Sequence, residues 1–191
     1  MRIERPDREP DLEFRVIGQS APGGSKDVGV IYRNGPNGTK VPVTDANGKV
    51  KTFVRDQSGK AGKDWRKTVA ETGLVALAQA GLRRFEGPLY VELTIIRPRG
   101  PGHYSQRIRD RLLPSAPAYP AVAPDVTKLT RSTEDALNGV VWGDDSRNVV
   151  LHSEKVYAAP GEPTGAHIRV WTLPERIGAA QPPADQLALS A

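Results

Sequence analysis

Apolar and polar residues alternate along several short stretches of this chain, the pattern typical of half-buried β-strands. The stretch 88–97 is the clearest, because Leu89, Val91 and Leu93 would share one face. The dipeptide Asn47-Gly48 predicts a tight hairpin, and the segment APGEPTG predicts a second hairpin between the last two strands. The other predicted strands are 12–18, 28–33, 40–44, 49–54, 148–158 and 166–173.

Helical spacing replaces this alternation in two regions. Between about 60 and 83, apolar residues from Trp65 onwards recur near the helical period, and Gly81 marks the expected end. Gly73 lies in the middle, where glycine lowers helix propensity. A second helix is predicted from Pro124-Asp125 to Asn138-Gly139.

Two helices among several short strands predict an α+β fold: a single domain with a mixed β-sheet and two main helices, whose strand order the pattern leaves open. Residues 98–123 are rich in Pro, Gly, Ser and Arg without any period, and loops of that length are usually functional or mobile. We expect a flexible N terminus at 1–11, a folded domain at 12–173, and a disordered tail rich in Ala, Pro and Gln at 174–191.

Composition excludes several kinds of chemistry. The chain has no cysteine, which rules out disulfides, zinc-thiolate sites and cysteine nucleophiles. His103, His152 and His167 show no metal-ligand spacing, and no motif indicates an organic cofactor. The charged first residues fit neither a signal peptide nor a membrane anchor, so we expect a cytoplasmic protein without a membrane partner.

The distribution of charge is more informative than the net charge of +5. Residues 12–67 hold eleven Lys and Arg against five Asp and Glu, and residues 97–113 hold five Arg against one Asp. The window 125–154 reverses this balance, with six acidic residues against three basic ones. An acidic region inside a basic chain is typical of a metal-dependent nuclease, in which carboxylates hold a cation and basic surroundings hold DNA.

Each candidate acidic residue also has an ordinary structural explanation. Asp125 after proline can be a helix N-cap, and the pair Asp144 and Asp145 can form a polar turn. Asp135 lies near a helix C terminus, where an ion pair with Arg131 is as good an explanation as a catalytic role. Trp142 is expected in the core, and the arginines of 97–113 could simply be solvated. Spacing alone leaves these alternatives open.

A composite motif favours the chemical interpretation. Asp125-Val-Thr-Lys-Leu-Thr-Arg131, then Asp135-Ala-Leu-Asn-Gly, then Trp142-Gly-Asp-Asp-Ser146 resembles the pattern of RusA-type Holliday junction resolvases of phages. In that family PD-x-D-[NK]-L-x-[KR] is followed by DAL and by a DD-[SA]-Q-V turn. The resemblance runs from about Phe14 to Leu173, and its specific part is confined to 124–155. It implies a RusA-like fold.

The resemblance also implies roles for individual residues. Asp125 and Asp145 would bind Mg²⁺, for which Mn²⁺ could substitute, with Asp144 beside them, and Arg131 stands where the family commonly has a catalytic lysine. The chain departs from the pattern at Thr127, where many members have a second aspartate. Either Asp135 or Asp144 supplies the missing charge among the metal ligands, or the enzyme cleaves weakly. Ser146-Arg147-Asn148 in place of Ser-Gln is a variation of the turn.

The family further implies a homodimer that makes paired symmetric nicks in a four-way DNA junction during recombination, repair or phage DNA processing. A two-fold symmetric protein matches a two-fold symmetric junction. The alternatives are another structure-selective or general Mg²⁺-dependent phage endonuclease, a catalytically weakened junction-binding protein, and an adaptor whose carboxylates are only caps and turns. The residues expected to contact DNA phosphates are Lys26, Lys63, Arg66, Lys67, Arg97, Arg99, Arg107, Arg109, Arg111 and Lys128.

Overall fold

Ten strands and helices account for the regular structure of the computed structural model, which describes residues 3–23, 26–56, 59–108 and 110–175. Three short 3-10 helices lie between them, at Pro36–Gly38, Pro101–His103 and Asp145–Arg147. In chain order the main elements are β1 (Leu12–Ile17), β2 (Lys26–Val30), β3 (Tyr32–Asn34), β4 (Lys40–Pro42), β5 (Thr52–Asp56), α1 (Gly59–Ala80), β6 (Leu89–Arg97), α2 (Val126–Leu137), β7 (Asn148–Tyr157) and β8 (Gly165–Thr172).

Four strands form the main sheet, in the order β1-β8-β6-β7. β8 runs antiparallel to both β1 and β6, whereas β6 and β7 are parallel, so the sheet is mixed. The prediction of an α+β fold with a mixed sheet and two helices is therefore confirmed. The prediction of a hairpin between β7 and β8 was wrong, because β6 lies between them and the loop APGEPTG crosses over it.

Both helices pack on one face of this sheet, where the alternating apolar residues of the strands form the core. The buried side chains on that face include Phe14, Val91 and Ile168. Gly73 lies where α1 meets the end of α2, and a Cβ atom there would be 2.9 Å from side-chain atoms of both Leu137 and Val141. A glycine that weakens the helix locally is thus explained by the close approach of the two helices.

The two helices run parallel to each other and antiparallel to β7. Trp65 Nε1 of α1 donates to Thr133 Oγ1 of α2 at 3.1 Å, and Gly73 of α1 lies opposite Leu137 of α2. Residue numbers therefore increase in the same direction along the two helices. On the other side of α2, Thr130 Oγ1 is hydrogen-bonded to Ser153 Oγ in the middle of β7.

Two further contacts fix the ends of α2. Lys155 Nζ, near the end of β7, donates to the carbonyl of Pro124 just before the helix at 2.9 Å. Asn148 Nδ2, at the start of β7, donates to Glu134 Oε1 in the last turn of the helix at 2.8 Å. The start of α2 therefore lies beside the end of β7, and its end beside the start of β7.

Residues 26–56 form a two-stranded arm separate from the main sheet. β2 pairs with β5 and β3 with β4, both antiparallel. The predicted tight turn is present, because Asp45 N donates to Lys49 O at 2.9 Å and Gly48 adopts a positive φ of 77°. The arm exposes apolar side chains, with Val28 at 62% and Tyr32 at 52% of their full accessibility.

The described part of the N-terminal segment packs against β8, and the expected flexibility of residues 1–11 stays a prediction. Arg8 donates to both carboxylate oxygens of Asp11, at 2.6 and 2.9 Å, and Thr172 N donates to the same carboxylate at 2.7 Å. Trp171 Nε1 donates to the Arg8 carbonyl, and the Arg5 guanidinium lies 5.1 Å from the Trp171 ring. Burial raises the pKa of Asp11, but the hydrogen bonds from Arg8 and Thr172 outweigh it, so the pKa is lowered overall.

The predicted disordered tail, 174–191, lies outside the described residues apart from Pro174 and Glu175. Within the part of the chain that the structure describes, neither α1 nor α2 has the length and apolar character needed to cross a membrane.

Candidate active site and nucleic-acid interface

Asp125 is the N-cap of α2, as its position after proline predicts. Its Oδ1 accepts a hydrogen bond from the backbone N of Lys128 at 2.8 Å, and Lys128 Nζ lies 3.4 Å from Oδ2. These hydrogen bonds, together with the ammonium charge, lower the pKa of Asp125. The side chain is 54% exposed, so the cap leaves an ionised carboxylate that faces solvent at the start of the helix.

Asp144 and Asp145 occupy the turn before β7. Asp144 Oδ1 accepts from Ser146 N at 2.9 Å and caps the 3-10 helix Asp145–Arg147. The hydrogen bonds from Ser146 lower the pKa of Asp144. Both aspartates are exposed, and the turn is held by Gly143 N, which donates to the carbonyl of Phe85 at 3.0 Å. The turn predicted from the sequence is present, and its carboxylates are accessible.

The structure separates these two carboxylate groups within one chain. Asp125 precedes the 12 residues of α2, and the Asp144-Asp145 turn follows them. Twelve helical residues at about 1.5 Å each span about 18 Å. The seven steps of β7 from Asn148 to Lys155, at about 3.3 Å each, give about 23 Å between the same two ends. The sequence left open that the two carboxylate groups converge if the helix and the turn pack side by side, and within one chain this structure does not meet that condition.

A metal site contained in a single chain does not fit this geometry. Among the described residues no three Asp, Glu or His side chains form a group that could hold a metal ion. Two carboxylate oxygens on one Mg²⁺ ion lie within about 4.2 Å of each other, since each metal–oxygen bond is about 2.1 Å. Asp125 and Asp145 therefore cannot ligate the same ion within one chain.

The other candidate residues of α2 lie along its exposed face. Lys128, Arg131 and Asp135 follow Asp125 at spacings of three and four residues, and all are exposed. Among the described residues Arg131 and Asp135 form no ion pair, so the alternative explanation of Asp135 is not supported. Thr127 is also exposed in the first turn, near Asp125. Asp135 lies near the Asp144-Asp145 end, and Arg131 lies midway.

Two half-buried arginines of the basic loop make contacts within the protein. Arg97 Nη1 donates to the Ser20 carbonyl at 2.7 Å and to its hydroxyl at 3.1 Å, and burial lowers the pKa of Arg97. Arg99 Nη1 donates to the carbonyl of Pro117 at 2.9 Å, and its guanidinium lies 4.5 Å from the centre of the Tyr157 ring. These residues anchor the loop, and this geometry leaves them poorly placed to contact phosphate.

The outer part of the loop is a small hairpin that carries exposed cations. Ser105 N donates to Arg111 O at 2.7 Å, and Ser105 Oγ accepts from the backbone N of Arg107 and of Ile108, each at 3.2 Å. Arg107 and Arg111 are exposed, while Arg109 lies outside the described residues. The root of the hairpin, His103, lies against Tyr157 at the end of β7, with ring centroids 5.2 Å apart.

These cations lie at the same end of the domain as Asp125, because β6 and β7 both end there. α1 runs parallel to α2, and Trp65 in its second turn lies against Thr133, so the cations beside Trp65 lie along the middle of α2. Lys63 and Lys67 are exposed on α1 and Arg66 is half-buried, while the Lys67 ammonium lies 3.8 Å from Glu71 Oε1. The side chain of Lys26 lies outside the described residues. This end of the domain thus combines the ionised Asp125 with the exposed cations Lys128, Arg107 and Arg111.

Lys155 is the residue that sequence reasoning missed at this end. Its ammonium donates to the carbonyls of Val122 at 2.6 Å and Pro124 at 2.9 Å, and so fixes the segment that leads into Asp125. The signal was present in the sequence. Leu151, Ser153 and Lys155 alternate on the helix-facing side of β7, and a lysine on an inward-facing position needs a polar partner.

An exposed, ionised carboxylate at the end of the domain that also carries exposed arginines is a combination that a DNA-cleaving enzyme uses. The family model for endodeoxyribonuclease RusA matches residues 36–170. This match covers more than half of the 191 residues, and the chain belongs to the endodeoxyribonuclease RusA family. The family is one of Holliday junction resolvases that act on branched DNA, which makes this chain an endonuclease by class. No curated protein matches the chain.

Proposed function

We propose that this protein is a Mg²⁺-dependent Holliday junction resolvase that makes paired symmetric nicks in four-way DNA junctions. The observation that carries the proposal is the position of Asp125. In a chain of the RusA family, this ionised carboxylate starts α2 at the end of the domain that also carries the arginine-rich hairpin. Phosphate contacts at this end would hold DNA beside the carboxylate without reading much sequence.

The separation of the carboxylates supports a homodimer with composite sites. If two α2 helices pack antiparallel about a two-fold axis, the start of each lies beside the end of the other. Asp125 of one subunit then lies close to Asp144, Asp145 and Asp135 of the second subunit. A two-fold axis generates this arrangement twice, which gives two equivalent sites for two nicks. Mg²⁺ prefers oxygen ligands of this kind, and Mn²⁺ could replace it.

Cations beside the carboxylates would stabilise the negative charge that builds up on the cleaved phosphate. Lys128 lies 3.4 Å from Asp125, and Arg131 is exposed one turn further along α2. We propose Arg131 as the catalytic cation and Lys63, Lys67, Arg107 and Arg111 as phosphate contacts. Arg97 and Arg99 then act indirectly, because they hold the loop that carries the hairpin.

A second candidate is a junction-binding protein with weakened cleavage. The observation that favours it is Thr127, which gives the first turn of α2 one carboxylate where the related motif has two. Thr127 is exposed, so a hydroxyl or a bound water is all that this position offers to a cation. A general endonuclease that ignores DNA branching is the remaining alternative.

The test is cleavage of a labelled four-way junction with Mg²⁺ or Mn²⁺, beside matched duplex and flap substrates. We expect paired symmetric nicks in the junction, lost in Asp125→Asn and in Asp145→Asn. Asp7→Asn is the matched control, since Asp7 is an exposed aspartate of the N-terminal segment. Equal cleavage of all substrates would instead indicate a general nuclease. Tight junction binding without cleavage would favour the weakened enzyme, and no DNA binding would refute the proposal.

A further inference from the structure

Tyr119 is the most exposed large hydrophobic side chain among the described residues, at 76% of its full accessibility. A tyrosine ring normally gains stability by burial, so a ring left in solvent is unexplained by the fold. Tyr119 lies in the second half of the 98–123 loop, six residues before Asp125. Val122 in the same segment is 64% exposed.

The backbone around Tyr119 is fixed on both sides. Before it, the carbonyl of Pro117 accepts from Arg99 Nη1 at 2.9 Å. After it, Pro120 is buried, and the carbonyl of Val122 accepts from Lys155 Nζ at 2.6 Å. Two half-buried cations, Arg99 and Lys155, therefore hold the segment against the sheet. The exposure of Tyr119 follows from this anchoring, because the loop packs inward at Pro120 and presents the ring outward.

The same anchors place Tyr119 at the end of the domain that carries Asp125. Lys155 binds the carbonyls of Val122 and Pro124, and Arg99 rests on Tyr157, two residues further along β7. The last residues of β7 thus anchor both the segment that carries the Tyr119 ring and the segment that leads into Asp125. An aromatic face in this position can stack on any base, since stacking needs no particular hydrogen-bonding pattern.

We propose that Tyr119 stacks on a base at the branch point of the DNA and so favours junctions over duplex. This inference rests on the proposed function. In a duplex every base is already stacked between neighbours, and insertion of a side chain must first separate a base step. At the centre of an opened junction base faces are free, so the same ring can stack without that cost. Tyr119 is therefore a specificity residue, distinct from the cations that bind phosphate in any DNA.

The experiment measures junction and duplex affinity in EDTA, with 2-aminopurine at the branch point as a reporter of stacking. We expect Tyr119→Ala to bind the junction at least about fivefold more weakly, with duplex affinity unchanged, because base–aromatic stacking carries at least that much affinity. Wild-type protein and Tyr119→Phe should quench 2-aminopurine, whereas Tyr119→Ala should not. Tyr32→Ala is the matched control, because Tyr32 is an exposed tyrosine of the arm, and it should leave the ratio of the two affinities unchanged.

The outcomes separate this inference from the function on which it rests. If the wild type prefers the junction and Tyr119→Ala keeps the full preference, stacking by Tyr119 is refuted while the resolvase proposal stands. Equal losses on junction and duplex would also overturn it, since they would make Tyr119 a general DNA contact. A wild type without junction preference would refute both. Tyr119 is exposed, so the substitutions should leave unfolding temperatures unchanged.

Discussion

Two inactive variants should restore cleavage to each other when they are combined. Asp125→Asn removes the carboxylate at the start of α2, and Asp145→Asn removes the one after its end. If each site takes Asp125 from one subunit and Asp145 from the other, a mixed dimer contains one site with both aspartates intact and one site with neither. If each site is formed within one chain, every site of the mixed dimer lacks one aspartate and none is active.

The structure sets the expected magnitude. Asp125 and Asp145 are separated by the length of α2, about 18 Å, which is about four times the distance that two ligands of one ion can span. Random exchange of subunits makes about half of the dimers mixed, and each mixed dimer has one intact site out of two. We therefore expect about one quarter of the wild-type nicking rate from the mixture, against almost none from either variant alone.

The assay co-expresses the two variants with different affinity tags, isolates mixed dimers by sequential purification and measures nicking of each labelled strand. The unfractionated mixture should show the quarter of the wild-type rate, whereas purified mixed dimers, with one intact site out of two, should reach about one half. They should nick a single strand per binding event, because the second site lacks both aspartates, so paired nicks should be absent. Asp125→Asn carrying both tags is the control for purification. Mixed dimers that form normally and remain inactive would refute composite sites, and a monomeric protein with full activity would refute them as well.

Three further predictions concern stability and the metal. Asp11→Asn should lower the free energy of unfolding by about 2 kcal/mol at pH 7, since it weakens the charged hydrogen bonds with Arg8. Because the folded-state pKa of Asp11 is lowered, the wild type should lose this stability as pH falls below about 4, and the variant should not. Urea titrations that show equal acid sensitivity for both proteins would contradict this. Gly73→Val should cost about 2 kcal/mol in the same titrations, because the new side chain overlaps Val141, and an unchanged or higher stability would show that the helices can separate. Thr127→Asp should lower the Mg²⁺ concentration for half-maximal junction cleavage about tenfold, because it adds a carboxylate beside Asp125; an unchanged requirement would show that this position does not contribute to the metal site.

Sequence patterns predicted the elements far better than their arrangement. β1, β6 and α2 were predicted to within about two residues, because alternation, helical spacing and caps are encoded locally in the chain. Strand order depends on which strands meet across the sheet, and no local pattern encodes that. The last two strands follow each other closely in sequence, which favoured a hairpin, yet β6 separates them in the sheet.

The N-terminal segment shows a second limit of sequence patterns. Residues 1–11 carry both signs of charge with no apolar run behind them, and nothing in that pattern predicts a packing partner. Arg8 and Asp11 instead satisfy each other and the end of β8, and the Arg8 carbonyl accepts from Trp171. Two opposite charges three residues apart can neutralise each other, and such a segment can pack against the fold. The sequence of the segment does not show that its partner is β8, a distant strand.

The candidate site illustrates both the strength and the limit of a motif. The motif identified Asp125 and the Asp144-Asp145 turn as candidate metal-binding carboxylates, and the structure gives each the cap or turn geometry that the ordinary structural explanations also predicted. The two explanations are therefore not exclusive: a carboxylate that caps a helix with one oxygen still offers its second oxygen to a ligand. Their relative position was not predictable, because the motif spacing is equally compatible with a turn that folds back along α2.

The direction of α2 along β7 has a consequence for how two cuts can be coordinated. In the proposed composite sites a single chain would supply half of each, since α2 has Asp125 at one end and leads to Asp145 at the other. Neither site can then form until the second subunit is in place, so a monomer bound to DNA would be unable to cut one strand alone. A resolvase needs this property, because an unpaired nick leaves a junction unresolved. In this scheme the length of α2 also fixes the distance between the two sites, which makes that helix the element that relates subunit geometry to the spacing of the nicks.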